Sequence, residues 1–242
     1  MQIFIGLGVL LFSYIMGSIP FGLVIVRLKT GKDIRQVESG RTGGTNAMRA
    51  AGLWAGVFTT ILDFLKSAAV VWLARWLIPG NPWLEVLAPI AAVLGHNYSI
   101  FLRERDALTG RMKLRGGAGG APAAGGAFGL WPPSLFAILP VGLLIVYGIG
   151  YASLATMSIP LVATIIFAYR AWIGASPWHY VIYGIVTEII LIWALRPNIR
   201  RLLNGTERLV GWRAHKKNKQ SNPRSHASTL GIKQPTSPPQ AE

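Results

Sequence analysis

The stretch Ser39-Gly40-Arg41-Thr42-Gly43-Gly44-Thr45-Asn46-Ala47-Met48-Arg49 gathers three small hydroxyls, one amide and two guanidiniums within eleven residues. Its glycines at 40, 43 and 44 admit positive φ and let the backbone approach a ligand closely. Backbone N–H groups and forked arginine donors together suit an anion, most naturally a phosphate. The same composition also fits an inert basic loop between two apolar segments, and on these residues alone both readings stay open.

Other polar clusters follow along the chain. Asp63 and Lys66 stand at i, i+3 spacing inside an apolar run. Ionisable groups there are costly and often functional, but this spacing also lets them pair with each other. His96, next to Asn97, is either a proton shuttle or a helix-end polar residue bonded to its neighbours. Gly116-Gly117-Ala118-Gly119-Gly120 is too glycine-rich for an ordinary helix interior. It lacks the Lys-Ser/Thr pair of a P-loop. A glycine turn feeding a helix can offer N–H donors to a phosphate, and small residues equally allow close helix packing.

The elements that position these groups are apolar. The chain has 242 residues, 52% hydrophobic and only 14% charged, against roughly a quarter charged in soluble domains. Apolar runs of roughly 17–25 residues recur, as bilayer spans require. An all-α polytopic membrane protein is expected, with one domain over 1–211 and a disordered basic tail over 212–242. With no cysteine, thiol catalysis, thiolate metal sites and disulfides are excluded. No metal-ligand spacing is evident among the four histidines, and no cofactor is expected.

The net charge of +15 is concentrated: residues 27–49, 103–115 and 196–233 hold 21 of the 24 Lys and Arg. Each block follows an apolar segment, which is the positive-inside pattern with added attraction to anionic headgroups. Interleaved aromatics are nearly absent from the tail, so nucleic acid is not an expected partner. The pattern predicts seven spans, with the N-terminus outside and the C-terminus and a polar cavity on the cytoplasmic face. The first, Ile3–Leu28, is interrupted at Gly17-Ser18-Ile19-Pro20-Phe21-Gly22. The others are Leu53–Leu77, Trp83–Leu102, a short one ending near Leu130, then 134–149, 152–170 and 177–195. The uncharged turn at 148–153, with Ser153, falls on the cytoplasmic side. Arg196 to Glu207 reads as a short interfacial helix closed by Gly205.

Taken in order and spacing, these motifs resemble the bacterial acyl-phosphate:glycerol-3-phosphate acyltransferases, the small seven-span PlsY family. The resemblance covers residues 6–208. It rests on Gly17–Gly22, Ser39–Arg49, Leu62-Asp63-Phe64-Leu65-Lys66, Gly95-His96-Asn97, Gly116-Gly117-x-Gly119, Tyr151-x-Ser153-Leu154, and Asn198-Ile199-x-Arg201-Leu202 through Gly205-Thr206-Glu207. It implies transfer of a fatty acyl group from acyl phosphate to glycerol 3-phosphate in the bacterial inner membrane. The expected partners are those two substrates, membrane lipids and the enzyme that supplies acyl phosphate. By resemblance, Ser39, Arg49, Asn198 and Glu207 are catalytic. Thr45, Asn46, His96, Asn97, Gly116, Gly117, Gly119, Gly120, Ser153, Arg196 and Arg201 bind substrate.

Three departures stand out. Ala118 occupies the position where the family usually has Lys between the glycines, and Leu195 the position of a His. About ten extra residues lie between Arg103 and Leu114, and Lys113 or Arg115 is the candidate replacement for the missing charge. Losing a charge-assisted phosphate contact is worth ~1.5–3 kcal/mol. A homologue that binds phosphate-bearing lipids or another acceptor, and a small secondary transporter, are the rival readings. Against the transporter, the polar residues collect at one face and no inverted repeat is evident.

Overall fold

The computed structural model describes residues 1–105 and 110–214, so most of the tail from 212 lies outside the described residues. Helices α1 (Gln2–Ser18) and α2 (Phe21–Thr30) are separated at Ile19-Pro20. Proline has no N–H to continue the ladder. The carbonyl of Ile19 at the break instead accepts from Lys66 Nζ at 3.0 Å. Helices α3 (Gly44–Ala51) and α4 (Leu53–Leu77) meet at Gly52, whose φ of 87° turns the chain. In α5 (Pro82–Asn97), Asn81 Oδ1 caps the first turn by accepting from Leu84 N at 3.1 Å.

The extra residues after α5 correct the all-helical expectation. Strands β1 (Arg103–Arg105) and β2 (Met112–Leu114) pair antiparallel, with Arg103 opposite Leu114 and Arg105 opposite Met112. Glu104 docks the hairpin, 3.2 Å from Arg35 and 2.6 Å from Arg115.

The remaining elements are α6 (Gly120–Leu130), α7 (Leu135–Leu144, continued by a wider turn to Ile149), α8 (Ala152–Trp172), α9 (His179–Ala194) and α10 (Arg196–Leu203). Helix α1 packs on α5, α4 on α6, and α8 on α9. The main core is formed by Val71, Val86, Ala127, Ile138, Ala163, Phe167 and Tyr183. Outward-facing Phe4, Leu7, Phe136, Leu144, Ile165 and Ile189 are exposed, as a lipid-facing surface requires.

This is a helical integral membrane protein. Among the described residues, four segments are long and apolar enough to cross a membrane: Gln2–Thr30, Leu53–Leu77, Pro132–Ile149 and Ala152–Trp172. The bent pair α9–α10, meeting at 67°, makes a fifth if counted as one span. The 16-residue α5 and 11-residue α6 are shorter for a physical reason. Both stop at a recess. Asp63, about 15 Å along α4 from its start, lies 3.4 Å from His96 near the end of α5. At its other end, α6 is closed by Arg75, which donates to the carbonyls of Gly129 and Leu130, both at 2.8 Å. Glu85 holds Arg75 at 2.8 Å and accepts from the Tyr180 hydroxyl at 2.6 Å.

The three basic blocks gather at one end. Arg35 meets Glu104, Arg41 meets Asn198, and Thr42 N donates to Gly116 O at 3.4 Å. The 148–153 turn joins them: Val210 N donates to Gly150 O at 2.8 Å, and Trp212 Nε1 to Tyr147 O at 2.7 Å.

Candidate active site

A cavity of about 390 Å³ opens among these blocks. Four helix starts contribute to its wall: Gly43–Asn46 of α3, Gly119–Ala121 of α6, Ala152 and Ser153 of α8, and Leu195 and Asn198 of α10. The first N–H groups of a helix have no partner within it, and the macrodipole places positive potential there. Arg41, Arg49, Arg201 and Arg208 add four guanidiniums to the same wall. Opposite this polar end, Ile138, Leu139, Leu143, Val146 and Ile159 form an apolar flank. Leu139 and Leu143 are themselves exposed on the outer surface of α7, so the flank reaches the lipid-facing side.

The first motif folds inward on its own backbone. The Asn46 amide nitrogen faces three carbonyls, those of Ile34 (3.1 Å), Val37 (3.0 Å) and Arg41 (2.8 Å). Asn46 therefore shapes the loop more than it presents a donor to the cavity. Asp33 caps the short turn before it, accepting from Arg35 N at 2.9 Å. The Arg35 guanidinium beside Asp33 holds its carboxyl below the usual carboxylate range.

Arg41 joins all three motifs. Its Nη1 donates to Gly117 O at 3.2 Å, and its Nη2 to Ala194 O at 2.6 Å and Asn198 Oδ1 at 3.2 Å. Burial, and secondarily the nearby Arg201 guanidinium, push Arg41 down from the ordinary arginine range. In the sequence Arg41 counts only as one of two forked donors suited to an anion, and it is not among the named site residues. Its partners lie 76, 153 and 157 positions away, and no local signal points to them.

Glu207 is the hub of the third motif. Its Oε1 accepts from Ser153 Oγ at 3.1 Å and Asn198 Nδ2 at 2.8 Å, and its Oε2 from Arg201 Nε at 2.8 Å. Its side chain is 5% exposed. Held by three protein donors, this carboxylate orients Ser153, Asn198 and Arg201.

Asp63, Lys66 and His96 form a buried cluster, of which Asp63 and His96 line the cavity. Lys66 Nζ lies 2.7 Å from Asp63 Oδ1 and 3.2 Å from His96 Nδ1, so the expected i, i+3 pair is formed. The His96 ring also supports the glycine turn, because a Cβ at Gly117 would run into its Nε2. Gly119, with φ 91°, takes the left-handed conformation that starts α6. Asp63 and Thr60, which line the cavity, had no place among the sequence-derived site residues.

Ser39, Thr45, Asn46, Arg49, His96, Gly119, Gly120, Ser153, Asn198, Arg201 and Glu207 thus meet in one cavity. Asn97, Gly116, Gly117 and Arg196 do not line it; they border an adjoining cavity. Arg196 is turned away because its guanidinium lies 3.4 Å over the Trp193 ring. Ala118 and Leu195 both line the main cavity, so both departures fall at the site. Arg115 does not replace the missing cation there: it pairs with Glu104 and borders the second cavity.

A family profile described as "Glycerol-3-phosphate acyltransferase" matches residues 7–205. The chain is 37% identical over 204 residues to a glycerol-3-phosphate acyltransferase of Rubrobacter xylanophilus, covering 84% of this chain and 94% of that relative. It is 36% identical over 205 residues to glycerol-3-phosphate acyltransferase 2 of Moorella thermoacetica, covering 85% and 97%. Among solved structures it is similar to the glycerol 3-phosphate form of PlsY, an integral membrane glycerol 3-phosphate acyltransferase. The TM-score is 0.73 at 34% identity, covering 85% of this chain and 96% of that one. The lysophosphatidic acid form of PlsY gives a TM-score of 0.71 at 32% identity, covering 85% and 95%.

Proposed function

The chain belongs to the glycerol-3-phosphate acyltransferase family, and from that premise we propose that it moves a fatty acyl group from acyl phosphate to the sn-1 hydroxyl of glycerol 3-phosphate. One observation carries this reading. A single cavity joins a cationic end, ringed by helix starts, to an apolar flank that reaches the lipid-facing surface. Both substrates bring a phosphate to the first, and one brings an acyl chain to the second.

In this mechanism the substrate hydroxyl oxygen attacks the acyl carbonyl carbon. The bond from that carbon to the phosphate oxygen breaks, and inorganic phosphate leaves. The hydroxyl proton passes to a phosphate oxygen of the substrates, giving lysophosphatidate and phosphate. Acyl phosphate is a mixed anhydride with a good leaving group, so proximity and charge stabilisation supply most of the acceleration. Ser39, Arg49 and the α3 start hold one phosphate. Gly119, Gly120 and Asn198 face the other, and Glu207 keeps Asn198, Ser153 and Arg201 in place.

We place the site on the cytoplasmic face, with the N-terminus outside and seven crossings counting α1–α2, α4, α5, α6, α7, α8 and α9. Gathering of the three basic blocks at one end supports this orientation. Residues 1–211 act as the membrane domain, with the rest as a basic cytoplasmic tail. The enzyme that makes acyl phosphate is a partner on this face.

Ala118 and Leu195 favour a second reading, a homologue that binds phosphate-bearing lipids without ordinary transfer. Purified protein given acyl phosphate, acyl-CoA or acylated acyl carrier protein as donor separates the two. Lysophosphatidate and phosphate formed in equal amounts from acyl phosphate alone support the transferase. No product from folded protein with any donor sinks it.

A further inference from the structure

The hairpin inserted after α5 has two unlike faces. Its register sets Arg103 opposite Leu114 and Arg105 opposite Met112, so these four side chains share one face. Glu104 and Lys113, opposite each other, belong to the other face. Glu104 is held by Arg35 at 3.2 Å and Arg115 at 2.6 Å, which turns that second face toward the protein. The alternation reaches back into the preceding loop, where Leu102 is buried and Phe101 is exposed. The outward side therefore carries Phe101, Met112 and Leu114, which are 58%, 60% and 39% exposed, beside two exposed arginines. Water alone gives three exposed apolar side chains no stabilisation. An apolar patch rimmed by cations finds its complement in an anionic membrane surface.

Depth places this face at such a surface. Trp83, half exposed at the start of α5, marks one bilayer interface. From there the 16 residues of α5 rise about 24 Å, short of a hydrocarbon core of about 30 Å. The chain is still at bilayer depth when it leaves α5. Ser99 ties it to the end of α1, its hydroxyl donating to Ser18 O at 2.6 Å. Phe101 follows, and the strands after it emerge at headgroup level. Arg103 Nε donates to Ile100 O at 3.1 Å, which folds that guanidinium back toward the same level.

We propose that the outward face of this hairpin rests on the bilayer surface, with Phe101, Met112 and Leu114 dipping among the acyl chains and Arg103 and Arg105 meeting anionic lipid headgroups. An acidic protein partner would match the arginines but gives no reason for the face to lie at this depth. The contact is independent of acyl transfer, so a chain without transferase activity still shows it.

The chain has no cysteine, so one introduced thiol carries one fluorophore. Met112→Cys places an NBD label on the outward face and Lys113→Cys on the inward one. Each full-length variant is reconstituted into phosphatidylcholine nanodiscs, with and without phosphatidylglycerol, that contain a lipid spin-labelled near its headgroup. The expected result is strong quenching at 112 and weak quenching at 113. Phosphatidylglycerol shifts the ratio of seated to raised hairpin roughly fivefold per arginine. Adding Arg103→Gln/Arg105→Gln to Met112→Cys removes that shift. Leu114→Cys reads the same face if Met112→Cys does not fold. Water-like emission without quenching on the outward face overturns the proposal, as does equal quenching on both faces. Blue-shifted emission without quenching overturns it too, because the face then packs against protein. Quenching that ignores phosphatidylglycerol removes the arginine–headgroup contact and the proposal with it.

Discussion

Asn198 Nδ2 donates to Glu207 Oε1 at 2.8 Å, and the same oxygen accepts from Ser153 Oγ at 3.1 Å. One carboxylate thereby ties the start of α10 to the start of α8 at the mouth of the cavity. Glu207→Ala leaves those donors, and Arg201 Nε, without their common acceptor. The expected result is a fall in kcat of roughly ten- to hundredfold, from the loss of one or two charge-assisted bonds. Glu207→Gln keeps an acceptor oxygen and loses less. Steady-state kinetics on both variants distinguish this from equal losses, which would mean that charge alone matters.

Arg41 spans the three motifs through Gly117 O, Ala194 O and Asn198 Oδ1. Lysine carries the charge but not the fork. Arg41→Lys is expected to destabilise the fold by about 3 kcal/mol, the value of one or two hydrogen bonds to a charged group. Thermal unfolding in detergent checks this, and an unchanged midpoint would remove Arg41 as the link.

Ala118 lines the cavity at the position where the resemblance leads to the expectation of a Lys. Ala118→Lys adds one cation to a wall already holding Arg41, Arg49, Arg201 and Arg208. If the site lacks that contact in the transition state, kcat/KM rises by roughly ten- to hundredfold. No rise would mean the four arginines already suffice.

Gly117 backs onto the His96 ring, which is itself held by Asp63 and Lys66. Gly117→Ala forces that buried cluster to shift, at a cost of about 1–3 kcal/mol. Gly8→Ala, with open space around it, serves as the control and leaves stability unchanged or slightly raised. Equal unfolding midpoints for the two variants would contradict the packing described.

Much of this was legible in the sequence, because local chemistry decides it. The Pro20 break separates α1 from α2, and Leu53–Leu77 forms a helix with the expected bounds. The Arg196–Leu203 helix ends just before Gly205, which has φ 67°. What was not legible depends on contacts between distant residues. Asn46 looked like a ligand donor, and its amide is occupied by carbonyls 5, 9 and 12 positions away. Arg196 looked like part of the main site, and stacking on Trp193 aims it into the neighbouring cavity. The insertion carried no strand periodicity long enough to read, and its hairpin is held by Glu104 between two arginines.

The central claim is that the cavity bounded by Ser39, Arg49 and Asn198 is where acyl transfer occurs. Arg49→Ala, assayed with acyl phosphate and glycerol 3-phosphate beside the wild type, tests it most directly. The account predicts a severe loss of kcat/KM for glycerol 3-phosphate, on the order of a hundredfold or more, at an unchanged unfolding temperature. Unchanged kcat and KM in the folded variant would contradict it.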